Sequence, residues 1–273
     1  AYTADLNGDG KPDVYLACAQ STQPSPVKQV MYLSQSGGGY TKLLTSFTAD
    51  GNSATLFDVN NDTKLDLLIS NSTSIQRGEP QVYLGNGAGS FTLNGTKLIT
   101  QDLLSNCGGG AIPAAVDAVF AVPSSQGRMD LILGSTGGAS SVIWMKDLGA
   151  AATPRYSVCS STSNFFPLAT TARLTDVYAV INSASTTSYY LARQSSASAV
   201  TLNFFTVNEV QSGGVTSYNL QAGTHPVTIS SALSDLAEMF SVAAGYLHAF
   251  DAGCVNGTDR CASWQAVRLL DIH

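Results

Sequence analysis

Asp5-Leu6-Asn7-Gly8-Asp9-Gly10-Lys11-Pro12-Asp13 sets oxygen-bearing side chains at loop positions 1, 3, 5 and 9. Position 7, Lys11, offers only its backbone carbonyl. Several oxygens converging from one tight loop, with glycine where the backbone bends sharply, are what a hard cation requires. An apolar run, Val14-Tyr15-Leu16-Ala17, follows directly. The same grammar returns as Asp58-Val59-Asn60-Asn61-Asp62-Thr63-Lys64-Leu65-Asp66, followed by Leu67-Leu68-Ile69. Two loops of one design, each feeding an apolar run, mark a repeating unit.

These loops are not EF-hands. That motif needs a bidentate Glu at position 12 and flanking helices, whereas Leu16 and Ile69 occupy position 12 here, inside strand-like runs.

Working outward, the first unit continues through Gln29-Val30-Met31-Tyr32-Leu33 and Tyr40-Thr41-Lys42-Leu43-Leu44. The second opens at Ala54-Thr55-Leu56-Phe57 and continues through Gln81-Val82-Tyr83-Leu84 and Ser90-Phe91-Thr92-Leu93, with a hairpin turn over Gly85–Phe91. A third unit keeps the shape without the metal loop: 118–122, 130–133, 142–145 and 155–158. A fourth has runs at 177–180, 189–192, 202–205 and 217–220, and a fifth at 226–229, 239–242, 246–250 and 264–267. Each unit holds four short runs rich in Val, Ile, Leu, Tyr and Phe, bounded by turn formers. A four-stranded sheet cannot cover both its faces alone, and radial stacking of such sheets is the β-propeller solution. The expectation is one all-β domain over 1–273, with four-stranded antiparallel blades at about 1–50, 51–110, 111–168, 169–222 and 223–273.

Composition limits the function classes. Hydrophobic residues make up 44% and charged residues 12% of 273, which argues against disorder. A net charge of −6 argues against a nucleic-acid partner, since phosphate binding needs a basic face. No apolar run approaches the ~20 residues that span a bilayer. The five cysteines, Cys18, Cys107, Cys159, Cys254 and Cys261, fit no zinc pattern. Cys254 and Cys261 flank a turn-rich loop that a disulfide would clamp. Asn61, Asn71, Asn94 and Asn256 begin Asn-X-Ser/Thr sequons, and Asn61 lies inside the second loop. Together these features point to an oxidising, calcium-rich compartment: a secreted or cell-surface glycoprotein.

Asp5–Asp13 with Val14-Tyr15-Leu16, Asp58–Asp66 with Leu67-Leu68-Ile69, and Tyr83–Phe91 resemble the FG-GAP/VCBS repeats. Those repeats build the propeller of integrin α-subunit heads and of several fungal lectins. The motifs are specific over residues 1–100, and beyond that the likeness is one of shape. The resemblance implies calcium between the first and second strands of a blade. Asp5, Asn7, Asp9, Lys11 (through its carbonyl) and Asp13 would form one site. Asp58, Asn60, Asp62, Lys64 (carbonyl) and Asp66 would form the other. It also implies a ring that is usually seven-bladed, so five units are either a closed ring or part of a larger one. The loops of units three to five (122–130, 180–188 and 230–238) lack the acid pattern and are expected to hold no metal.

No signature of catalysis emerges, and the chain is expected not to be an enzyme. There is no GxSxG elbow and no HExxH motif; His225, His248 and His273 lack paired ligand spacing. Asp102, Asp117, Asp147, Asp176, Glu209, Asp235, Glu238, Asp251 and Asp271 are candidate acids away from the metal loops, without motif context. Trp144, Trp264, Tyr189, Tyr190, Phe204 and Phe205 are aromatic anchors or inter-blade core. The reading is a calcium-stabilised extracellular propeller that acts as an adhesion or ligand-binding scaffold. A protein or glycan ligand would sit at one end of the ring. A lectin, or a polysaccharide-processing enzyme on the same fold, are the alternatives.

Overall fold

The computed structural model describes residues 2–18, 27–49, 53–70, 80–95, 118–135, 141–149, 156–158, 165–167, 173–196, 199–213, 215–222, 227–230, 238–243, 246–251 and 264–268. Among these residues the fold is all-β, in five antiparallel sheets. The chain divides into two compact units, residues 1–121 with 128–168, and residues 122–127 with 169–273.

Sheet one is a meander of β1 (Tyr2–Ala4), β2 (Asp13–Leu16), β3 (Val27–Ser34) and β4 (Tyr40–Ala49). Sheet two repeats it with β5 (Ala54–Phe57), β6 (Asp66–Ile69), β7 (Gln81–Gly85) and β8 (Phe91–Leu93). The predicted runs of the first two units therefore become strands in the predicted order. The reason is local: alternating or continuous apolar runs end at Gly, Asn and Ser, and consecutive runs close antiparallel hairpins.

Sheet two is buried on both faces. Its strand β6, Asp-Leu-Leu-Ile, is buried at every residue. Leu67, Ile69 and Tyr83 pack with Leu6, Tyr15, Met31 and Phe91 toward sheet one. Leu68 and Val82 pack with Val119, Leu131, Leu133, Ile143 and Tyr156 toward sheet three. Alternate residues of a strand point to opposite faces, so one strand serves two cores. Each such aliphatic side chain contributes about 1.5–3 kcal/mol by burial. Phe47 of β4 stacks on Tyr83 of β7, with ring centroids 3.9 Å apart.

The first strands of these sheets also meet through polar groups. The Tyr2 hydroxyl accepts the Ala54 amide at 2.9 Å and lies 3.2 Å from Ser53 Oγ. Ser53 Oγ accepts the Val119 amide at 3.1 Å, and Thr55 Oγ1 accepts the Ala121 amide at 3.1 Å. Short hydroxyl side chains thus satisfy edge amides that no ladder reaches.

Sheet three contains β9 (Ala118–Ser124), β10 (Arg128–Ser135), β11 (Ser141–Asp147) and β12 (Tyr156–Val158). A further strand, β13 (Phe165–Pro167), pairs with Ser141–Ile143 of β11, while β12 takes Met145–Asp147. Two short strands so share one edge. Sheet four has β14 (Arg173–Ser183), β15 (Thr186–Ser196), β16 (Ala199–Ser212) and β17 (Val215–Ala222). Here β17 covers Phe205–Ser212 of β16, and β18 (Val227–Ser230) covers Ala199–Leu202. The run at 226–229 was expected to open the fifth unit; it instead completes the edge of sheet four, where it satisfies backbone groups that β17 is too short to reach. Sheet five then consists of β19 (Glu238–Ala243), β20 (Tyr246–Asp251) and β21 (Trp264–Arg268).

One buried side chain holds a break in sheet one. The β3–β4 register shifts between Lys28 and Val30. Gln29, fully buried there, donates from Nε2 to the carbonyls of Val27, Cys18 and Ala49 at 2.9–3.1 Å. Its Oε1 accepts the Cys18 amide at 2.6 Å. The bulge strands these backbone groups, and the amide satisfies them.

Candidate metal loops

The two loops connect β1 to β2 and β5 to β6, and they adopt one conformation. Gly8 and Gly10 of the first have φ of 77° and 79°. Asn61 and Thr63, the equivalent residues of the second, have φ of 63° and 71°. The left-handed conformation is easy for glycine, tolerated by asparagine and strained for a β-branched threonine.

That backbone path curls the amides inward onto the acidic side chains. Asp5 accepts the amides of Gly8 (2.7 Å), Asp9 (3.2 Å) and Gly10 (2.8 Å). Asn7 Oδ1 accepts the Asp9 amide at 3.0 Å, and Asp9 Oδ1 the Lys11 amide at 2.9 Å. In the second loop Asp58 accepts the amides of Asp62 (3.1 Å) and Thr63 (2.7 Å). Asn60 Oδ1 accepts the Asp62 amide at 3.1 Å, and Asp62 Oδ1 the Lys64 amide at 3.0 Å. Local side-chain-to-backbone bonds of this kind are what Asp and Asn favour over regular structure. The Gly10 amide, ahead of those of Gly8, Asp9 and Asn7, holds the Asp5 carboxyl below its ordinary value of 3.8.

Position 9 behaves differently. Asp13 and Asp66 are fully buried. Asp13 Oδ2 accepts the Leu6 amide and Oδ1 the Ser34 amide, both at 2.8 Å. Asp66 Oδ2 accepts the Val59 amide at 2.9 Å and Oδ1 the Gly85 amide at 2.8 Å. Each carboxylate thus ties its own loop to the far end of the third strand of its sheet. Burial raises the Asp66 carboxyl above 3.8 despite these two amides, with the charges of Asp62 and Asp58 adding to the rise.

Asp130 holds the same place in sheet three, where a short 3-10 turn (Ser125–Gly127) replaces the metal loop. It is fully buried, and it accepts the Asp147 amide at 3.0 Å and the Trp144 indole N–H at 3.1 Å. Lys146 Nζ lies 3.6 Å from its Oδ1. Sequence reasoning singled out position 9 as a ligand; its structural tie was not visible because the partner amide lies far along the chain.

The donor set fits a hard divalent cation. Carboxylate, amide and carbonyl oxygens are the ligands calcium takes. An oxygen that accepts one amide keeps a further lone pair. Asp5 Oδ2, Asn7 Oδ1 and Asp9 Oδ1 are in that state, as are their equivalents in Asp58, Asn60 and Asp62. Among the described residues no group of three or more His, Cys, Asp and Glu side chains is arranged to hold a metal ion. The loops differ from such a group because position 3 is an asparagine and position 9 is held inward by strand amides. Lys11 and Lys64 extend from position 7, with Lys11 Nζ donating to the Gln35 carbonyl at 3.3 Å and Lys64 Nζ 3.9 Å from Asp62 Oδ2.

Trp144, Tyr189, Tyr190 and Phe205 are buried core side chains. Phe204 lies in β16, Trp264 in β21 and His248 in β20. Asp147 is buried and accepts the amides of Met129 (3.3 Å) and Gly149 (2.8 Å). Asp176 lies in β14 and Glu209 in β16, while Glu238 and Asp251 are backbone register partners in the β19–β20 pair. Asn61 is exposed at the loop tip, and Asn94 follows β8 with its amide on the Val82 carbonyl at 2.8 Å. Asn71, Asn256, Cys107, Cys159, Cys254, Cys261, His225, His273, Asp102, Asp117, Asp235 and Asp271 lie outside the described residues. Cys18 is half-buried and forms no disulfide among the described residues. A cleft of about 310 Å³ opens between sheets one and two, walled by Met31, Leu43, Leu44, Phe47, Gly89 and Phe91.

Sheets one and two, meanders stacked face to face and carrying the same Asx-rich loop, define a β-repeat unit. Residues 5–69 match the family model described as an FG-GAP-like repeat. The matched segment runs from the first residue of the first loop to the last residue of β6, so it takes in both loops. No curated protein matches the chain.

Proposed function

We propose that the chain is a calcium-stabilised β-propeller that serves outside the cell as an adhesion or ligand-binding scaffold for protein partners. The observation that carries this reading is the duplication of one loop conformation at the same place in two stacked sheets, with the position 1, 3 and 5 side chains accepting equivalent loop amides. The FG-GAP-like match over that region supports it, as does the burial of both faces of sheet two. Calcium bound there would neutralise carboxylates crowded in one turn and fix the loop that joins the first two strands. Asp5, Asn7, Asp9 and the Lys11 carbonyl would hold one ion, and Asp58, Asn60, Asp62 and the Lys64 carbonyl the other. Asp13 and Asp66 would join each loop to its sheet. The partner would meet the end of the ring that these loops rigidify.

Thermal unfolding in calcium and in EGTA tests the metal. At a free concentration 100-fold above the Kd, a single native-state site adds about 2.7 kcal/mol. For a chain of this size that corresponds to a Tm rise of at least about 5 °C. Asp9→Ala combined with Asp62→Ala is expected to abolish the shift. An unchanged Tm in EGTA sinks the calcium reading.

A further inference from the structure

The turn between β7 and β8 sits between the two metal loops and is bonded to both. At one end, the Gly85 amide donates to Asp66 Oδ1 at 2.8 Å, and Asp66 Oδ2 accepts the Val59 amide of loop two. At the other end, the Gly89 amide donates to the Leu6 carbonyl of loop one at 2.9 Å. The Leu6 amide in turn donates to Asp13 Oδ2 at 2.8 Å. Asn86 braces the turn between these ends. Its Oδ1 accepts the amides of Ala88 (2.8 Å) and Ser90 (3.0 Å), and its own amide donates to the Ser90 carbonyl at 3.0 Å.

Packing closes the remaining gaps. A Cβ on Gly87 would meet the Lys64 methylenes at 3.2–3.3 Å, and one on Gly8 would meet the Gly87 carbonyl oxygen at 3.2 Å. A Cβ on Gly89 would press on Leu33 Cδ1 at 2.9 Å, beside the Ser34 amide that Asp13 accepts. The turn therefore touches loop two at Lys64, loop one at Gly8 and the third strand of sheet one at Leu33.

From this continuous path, Asp13–Leu6–Gly89–Asn86–Gly85–Asp66–Val59, we infer that the two loops bind divalent cations with positive cooperativity, transmitted by the Gly85–Ser90 turn. The inference rests on the calcium reading above. A cation that orders loop one fixes the Leu6 carbonyl and so the position of Gly89. The braced turn then holds Gly85 where Asp66 needs it, so loop two is already ordered for its own cation. Coupling through conformational order is reciprocal, and both loops gain by the same factor.

Calorimetric titration of the full chain with calcium tests this. Asp62→Ala isolates loop one and Asp9→Ala isolates loop two. The product of the two stepwise association constants of the wild type is expected to exceed the product of the isolated constants by about fivefold or more. In an Asn86→Ala background that excess is expected to fall to unity while both loops still bind. Equal products in the wild type, or an excess that survives Asn86→Ala, overturn the coupling and leave the calcium reading intact. Failure of the wild type to bind calcium overturns both. If a loop variant does not fold, the wild type alone decides. Hydrogen exchange of residues 5–13 and 58–66 is expected to slow along one calcium curve with a Hill coefficient above one. Two curves with separate midpoints and unit slope reject the proposal.

Discussion

Asp66 and Gly85 lie 19 residues apart in the chain and are joined by a hydrogen bond of 2.8 Å, from the Gly85 amide to Asp66 Oδ1. The approach is close enough that a Cβ on Gly85 would overlap the Leu65 carbonyl oxygen. Asp13 and Ser34 make the same bond in sheet one with a serine in the glycine's place. Close contact of strand and loop, rather than a need for left-handed backbone, therefore selects glycine at position 85.

Gly85→Ala is expected to destabilise the chain by about 2–4 kcal/mol, because the obstacle is backbone and neither side can give. Gly95→Ala is the control. A Cβ there meets nothing within 4 Å, and the expected change is within about 0.5 kcal/mol. Denaturant unfolding of both variants measures the difference.

The carboxyls of one motif are expected to titrate on opposite sides of 3.8. Asp5 is held below that value by the Gly10 amide and its neighbours, so its contribution to stability is present above pH 3.8 and is lost as pH falls through the folded value. Asp66 is raised by burial. Its contribution is largest below pH 3.8 and is lost as pH rises through its folded value. Carbon-13 carboxyl shifts followed against pH in metal-free buffer give the order directly; a lower midpoint for Asp66 than for Asp5 would contradict it.

Two tyrosines of sheet one should respond differently to loss of the hydroxyl. Tyr15 is fully buried, and its hydroxyl has no hydrogen-bond partner among the described residues. Tyr15→Phe is expected to be neutral or stabilising, by up to about 1 kcal/mol. Tyr2→Phe removes the acceptor of the Ala54 amide and is expected to cost about 1–2 kcal/mol. Comparison of the two Tm values separates them.

Thr63 has φ of 71°, where its counterpart in loop one is Gly10. A β-branched residue is strained there by about 1–2 kcal/mol, partly offset by the greater unfolded-state entropy of glycine. Thr63→Gly is expected to raise stability by about 0.5–1 kcal/mol and to remove the Asn61 sequon. Urea midpoints of the unglycosylated proteins test the first effect. A lower midpoint for Thr63→Gly would show that the loop gains more from the threonine side chain than its backbone loses.

Much of this architecture was readable from residues alone, because the signals are local. Runs such as Val14-Tyr15-Leu16 and Leu67-Leu68-Ile69 are strands in any hairpin context, and the turns between them are set by Gly, Asn and Asp. The internal hydrogen bonds of both loops follow from side chains that reach amides two to five residues onward. The placement of Val227–Ser230 against β16 was not readable. It depends on how much of that 14-residue strand β17 leaves uncovered.

The sequence by itself determined the strand units of the first two sheets and the curled, oxygen-lined loops at Asp5–Asp13 and Asp58–Asp66. Tertiary structure alone decided that Asp13 and Asp66 are buried ties to third-strand amides, that Gln29 closes a bulge, and that Trp144 and Tyr189 are core. The reason is range. A loop's own amides are fixed by covalent geometry within a few residues, whereas the partner of a buried carboxylate is whichever distant strand the stacking of sheets brings to it.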